Sequence, residues 1–197
     1  MLPRVNIAIS FKHPDRHCVP NAARLIRRAT RAAVCAADEL PPGTLEISIV
    51  VADNDFVRTL NHEHRGLDRP TNVLAFADAC AGDTSAAGPS TTSGGGEGPP
   101  LVLGDIVLGL DILTAEAAAQ HKTVADHICH LVVHGVLHLL GLDHGSAAAA
   151  RAMETVECRA LARLGIADPY QQGPEDDGAL PLTPRRAEAS LGDAAPD

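Results

Sequence analysis

The chain has 197 residues and is 45% hydrophobic, enough for one domain with its own core, but with only 2% aromatics that core must be filled by Leu, Val, Ile and Ala. A net charge of −9 argues against a surface that is basic throughout, although residues 168–197 carry −5 of it and leave only −4 for the other 167. No charged start runs into an apolar stretch with a cleavage site, and Cys18, Cys35, Cys80, Cys129 and Cys158 form no C-x-x-C pair, so a cytoplasmic protein with reduced thiols is expected.

Residues 5–10 (VNIAIS) alternate and predict a first strand. Residues 20–37 keep helical spacing at Ala23, Ile26, Ala29, Ala33 and Ala37, with Pro20 at the start and Pro41-Pro42 past the end. Arg24, Arg27, Arg28 and Arg31 crowd on that helix, either as a phosphate-attracting cluster or as a solvated face. Residues 45–52 (LEISIVVA) form the clearest strand, and Asp53-Asn54 then caps a helix over 55–63 with Phe56 and Leu60 inward. Short strands follow at 73–76 and 104–110. Between them, residues 78–100 are rich in Gly, Ser, Thr, Ala and Pro and read as a flexible surface insertion.

A helix from Asp111 or Thr114 should stop before His121, another should run over 123–140, and the last over 146–164 with Gly165 closing it. The composition after Pro169 predicts disorder, so the domain is expected over 1–167 and an acidic tail over 168–197. Four strands among about five helices make a single-domain α+β (mixed α/β) fold. The most apolar run, 128–142, is short for a membrane span and is interrupted by His130, His134 and His138.

The chemistry concentrates in residues 134–144, HGVLHLLGLDH. His134 and His138 are four apart, so a helix stacks their imidazoles on one face, where they can grip one ion. Gly141 can adopt a left-handed backbone, end the helix and swing His144 back to the same point. Three imidazoles without cysteine suit one Zn²⁺ and leave a fourth position open, the pattern of a catalytic site. The spacing also matches the metzincin peptidases, whose second residue is a glutamate base; here it is Gly135, which cannot take a proton. His127 and His130 fall on the same stripe and are read as a wet edge of the helix rather than as groups behind the ion. Asp143 either orients a ligand imidazole or caps the turn, and Asp105 either orients a ligand or closes a turn.

These residues resemble the YbeY endoribonucleases, the bacterial rRNA maturation factors. HGVLHLLGLDH matches their HGxLHLxGxDH signature. Leu60-Asn61, Arg65-Gly66 and residues 70–76 (PTNVLAF) are similar to their LN…RG…TDVLSF segment, with Asn72 and Ala75 replacing the aspartate and serine of that pattern. Residues 103–106 (LGDI) and the helix from Met153-Glu154 to Gly165 also match, so the likeness spans roughly 4–167. The resemblance implies a metal-dependent, single-strand-specific endoribonuclease acting at the small-subunit rRNA 3′ end and in ribosome quality control. It implies zinc on His134, His138 and His144, an important arginine at Arg65, and rRNA, the small ribosomal subunit and assembly proteins as partners, with no DNA and no membrane.

Arg65, always charged and forked, suits a phosphate oxygen or the leaving group, whereas its bland alternative is a salt bridge to Glu63 or Asp68. No side chain stands out as general base, leaving that role to water on the ion or to the RNA 2′-OH. So few aromatics predict binding through arginine–phosphate contacts that weaken with salt. Two other readings compete: a zinc peptidase-like hydrolase, against which Gly135 argues, and a non-catalytic assembly factor in which zinc staples the motif helix to its turn.

Overall fold

Strand β1 (Arg4–Lys12) alternates exposed and half-buried residues along its length, and β2 (Thr44–Ala52) alternates half-buried with buried ones, as strands covered mainly on one face do. The computed structural model describes residues 3–15, 19–78 and 99–170. The insertion expected at 78–100 and the tail expected at 168–197 lie outside the described residues, apart from 78, 99–100 and 168–170. β3 (Val73–Ala77) and β4 (Leu101–Gly109) complete a four-stranded sheet of order β1-β2-β4-β3. β1, β2 and β4 run parallel, and β3 returns antiparallel on the edge beside β4. The parallel neighbours need crossovers, and α1 (Ala22–Ala36) supplies the first, between β1 and β2.

Alternation assigns the two faces. Leu45, Ile47, Ile49 and Val51 of β2 point into the main core with α1, α4 (Val124–Leu139) and α5 (Ala147–Leu164). Ala52, Leu74 and Val107 point the other way and meet Val57 of α2 (Asn54–Arg65) in a smaller cluster. α3 (Leu110–Ala119) leaves β4 directly and sends Leu110 and Leu113 into the main core. The expected α+β fold of about four strands and five helices is thus the observed one. Among the described residues, no helix is long and apolar enough to cross a membrane.

One boundary differs instructively. The glycine at 104 marked the predicted start of a strand, yet β4 begins at Leu101 and carries Gly104 inside it. Gly104 has φ +135°, and a Cβ there would sit 2.0 Å from the Phe76 carbonyl oxygen. The register against β2 slips at Glu46/Ile47 beside it, so this glycine is a bulge that lets β3 approach closely rather than a strand breaker.

Candidate metal centre

α4 begins at a built cap: Thr123 accepts a hydrogen bond from the Asp126 N–H at 3.0 Å. Its apolar residues fix its rotation, since Ile128, Val132, Val133, Val136 and Leu137 are all buried. That rotation leaves His127, His130, His134 and His138 on one stripe. The helix ends as the sequence predicts. Gly141 takes φ +88°, its N–H bonds to the His138 carbonyl at 3.0 Å, and the Leu142 N–H reaches back to the Leu137 carbonyl at 3.0 Å. This Schellman turn aims the following residues back over the helix end. Asp143 then accepts from the Gly145 N–H at 2.9 Å, so its carboxylate caps the turn.

The result is a convergence of three ring nitrogens. His138 Nε2 lies 3.2 Å from His134 Nε2 and 3.0 Å from His144 Nε2, and one nitrogen from each ring falls within 4.8 Å of the others. His134 and His138 are half-buried and His144 is exposed, so the cluster opens to solvent on the side of the turn. Burial, together with the neighbouring His134 and His144, pushes the His138 pKa down to about 4. Burial and His134 also lower His144. Both effects favour neutral rings, the form that ligates a cation. Three ring nitrogens converging on one point, with His144 exposed, could hold a metal ion.

Behind the cluster lies a carboxylate that the sequence reading did not single out. Glu157 of α5 is completely buried on a face otherwise made by Met153, Val156, Ala160 and Leu161. Its Oε1 is 3.0 Å from His130 Nε2 and 3.4 Å from His134 Nδ1, without the alignment of a linear hydrogen bond. The Tyr170 hydroxyl donates to Oε2 at 2.6 Å. Burial alone would raise the Glu157 pKa, but His130 and His134 outweigh it and hold the carboxyl well below the usual range. The available signal was one acid on an apolar helical face, where an unpaired charge would be costly.

His127 and His130 are not the wet edge expected of them. The His127 side chain is only 4% exposed, and its Nε2 lies 2.9 Å from Glu116 Oε2. Glu116 also accepts from the Asn72 amide, at 3.2 and 2.9 Å, while Asn72 Oδ1 accepts from the Val73 N–H at 2.7 Å. An aspartate at 72 would set a second negative charge against Glu116, so the amide suits this site.

Arg65 is the last residue of α2 and is exposed. Among the described residues it makes no hydrogen bond or ion pair, and Asp68 is instead held by Arg58 at 2.6 and 2.7 Å. α2 packs on the sheet face opposite α4, and no described contact joins Arg65 to the histidines. Asp105 is an exposed residue in the middle of β4. Gly135, in the position of the metzincin glutamate, is buried with its Cα facing Ile106 of β4, so a side chain there would point into the sheet.

Comparison with known proteins agrees with the motif. The family described as Endoribonuclease YbeY matches residues 9–165. A protein named Endoribonuclease YbeY from Paramagnetospirillum magneticum is 44% identical over 86% of this chain and 98% of its own length. Its namesake from Rhodospirillum rubrum is 45% identical over 84% of this chain and 82% of its own. A solution structure of TM1509 from Thermotoga maritima covers 85% of this chain and 100% of its own at 18% identity and a TM-score of 0.47, too slight a likeness to argue from. The family match over residues 9–165, with the histidine signature and its convergent geometry inside it, establishes that the chain belongs to the endoribonuclease YbeY family.

Proposed function

We propose that the protein is a zinc-dependent, single-strand-specific endoribonuclease that matures the 3′ end of small-subunit rRNA and serves ribosome quality control in the cytoplasm. The observation that carries the reading is the meeting of His134, His138 and His144 nitrogens within 4.8 Å, inside the segment matched to a family of endoribonucleases. These three residues would hold the ion. When bound, it would supply Lewis acidity toward a phosphodiester oxygen and toward water.

The chain's own residues do the rest. His138, kept neutral by burial, offers its lone pair at pH 7 without a proton to displace. The Schellman turn at Gly141 brings His144 back over the helix end, beside the other two rings. Arg65, exposed and without a hydrogen bond or ion pair among the described residues, is the residue we assign to a phosphate oxygen of the RNA. In this reading Arg65 would meet a phosphate oxygen of the RNA or the leaving group. The partners in this reading are rRNA, the small subunit and its assembly proteins. Position 135, a glycine where the peptidase pattern has its glutamate base, offers no carboxylate, and a Cβ there would meet Ile106, which weighs against a peptidase.

The test is metal dependence of RNA cutting. Cleavage of a single-stranded RNA should vanish after chelation and return with Zn²⁺. Cutting that survives exhaustive chelation would remove the metal from the mechanism.

A further inference from the structure

The geometry points to Glu157 as the positioning carboxylate of the histidine centre, steered by Tyr170 and holding His134 with its Nε2 lone pair toward the other two rings. This inference rests on the metal reading above.

A neutral imidazole carries one N–H, and the partner of one ring nitrogen decides which nitrogen is left to ligate. His138 has its partner in the Leu142 backbone, one turn on. His134 has Glu157, whose Oε1 lies 3.4 Å from Nδ1 while His134 Nε2 faces His138. Glu157 Oε1 is buried and lacks a linear hydrogen bond. That oxygen lies 3.0 Å from His130 Nε2 and 3.4 Å from His134 Nδ1, so a ligated His134, its proton fixed on Nδ1, would share it with His130.

Tyr170 explains why Oε1 rather than Oε2 is free for this work. Past α5, Gly165 takes φ +76° and the Ile166 N–H bonds to the Leu161 carbonyl at 3.0 Å, turning the chain back. Asp168 Oδ1 then accepts from the Tyr170 N–H at 2.9 Å and from the Cys158 thiol at 3.1 Å, which sets the loop. The Tyr170 hydroxyl occupies Oε2, and its ring stands edge-on to His130 at 6.4 Å. Two carboxylate oxygens therefore have separate tasks: one is pinned by the tyrosine and the other is presented to the histidines.

The experiment measures Zn²⁺ affinity of the full chain by competition with a chromogenic chelator, for wild type, Glu157→Gln and Tyr170→Phe. Thermal melts of the metal-free forms and ¹⁵N spectra of the histidine rings accompany it. Glu157→Gln should weaken Zn²⁺ binding about 10–100-fold while its metal-free form still melts cooperatively, and Tyr170→Phe should weaken it less. Zinc-loaded wild type should show His134 protonated on Nδ1. Zinc affinity within about twofold of wild type in a folded Glu157→Gln chain would reduce the residue to packing and overturn the proposal. So would a His134 proton on Nε2, a readout that stands even if Glu157→Gln fails to fold. Wild type that binds one zinc yet cuts no RNA sinks the nuclease reading alone, whereas wild type that binds no zinc sinks both.

Discussion

Gly135→Glu restores the residue that the metzincin pattern carries beside its first histidine, and the structure predicts that it breaks the protein without making a peptidase. A Cβ added at 135 would lie 3.1, 3.2 and 3.3 Å from three side-chain atoms of Ile106, a completely buried residue of β4. Forcing further atoms into that contact costs about 1–3 kcal/mol of overpacking. The carboxylate at its end would have no partner there, adding roughly 3 kcal/mol for an unsatisfied charged group. Replacing glycine within a helix returns only about 0.7 kcal/mol, so a net loss of roughly 4 kcal/mol remains. For a chain of this size that is a fall of about 8–16 °C in Tm. Gly135→Ala grades the argument: one methyl against Ile106 nearly cancels its helix gain, and stability should stay within about 1 kcal/mol of wild type. Urea melts of the three proteins, with a peptide-hydrolysis assay beside them, make the measurement. A Gly135→Glu protein as stable as wild type, or one that hydrolyses peptides with zinc, would refute the inward orientation of this position.

Zinc at about 100 times its Kd should raise stability by about 2.7 kcal/mol, chelation should reverse the gain, and His138→Ala should show no gain when melted in the same buffers. The metal-free protein should lose stability as pH falls from 6.5 towards 4, because the unfolded chain takes up a proton that buried His138, with its pKa at about 4, refuses. Discounted for the partial exposure of that ring, the loss is ~1–2 kcal/mol, and urea melts at pH 7 and pH 5 that show stability rising with acid would contradict it. Arg65→Ala should leave the melting curve within about 0.5 kcal/mol of wild type, since the exposed side chain makes no hydrogen bond or ion pair with a described residue, while lowering RNA cleavage by about 10²–10³. Full cleavage by that variant would release Arg65 from the mechanism.

The helices were legible in the sequence because their signals are local. Gly141 and Gly165 both take the left-handed backbone that ends a helix, and Asp53, Thr123 and Ser146 each accept the cap hydrogen bond that starts one. The histidine centre was legible for the same reason, since an i, i+4 pair and a glycine turn are short-range geometry. What depends on pairing distant segments was not. Nothing local to residues 101–109 reveals that β4 lies between β2 and β3, or that Phe76 crowds Gly104. Glu157 was missed because its partners are 27 and 23 residues earlier, at His130 and His134, and meet it only when α5 packs on α4. His127 misled because the stripe that looked wet is covered by α3, which brings Glu116 to it.

The central claim is that the three histidines make this chain cut RNA, and one assay confronts it most directly. A 3′-extended small-subunit rRNA fragment is incubated with zinc-loaded wild type and with His138→Ala, purified identically and both checked for folding. Cutting by wild type that falls to background in the folded His138→Ala protein is the predicted result. Equal cutting by both would assign the activity to a contaminant and leave the histidine cluster as a staple holding α4 to its turn.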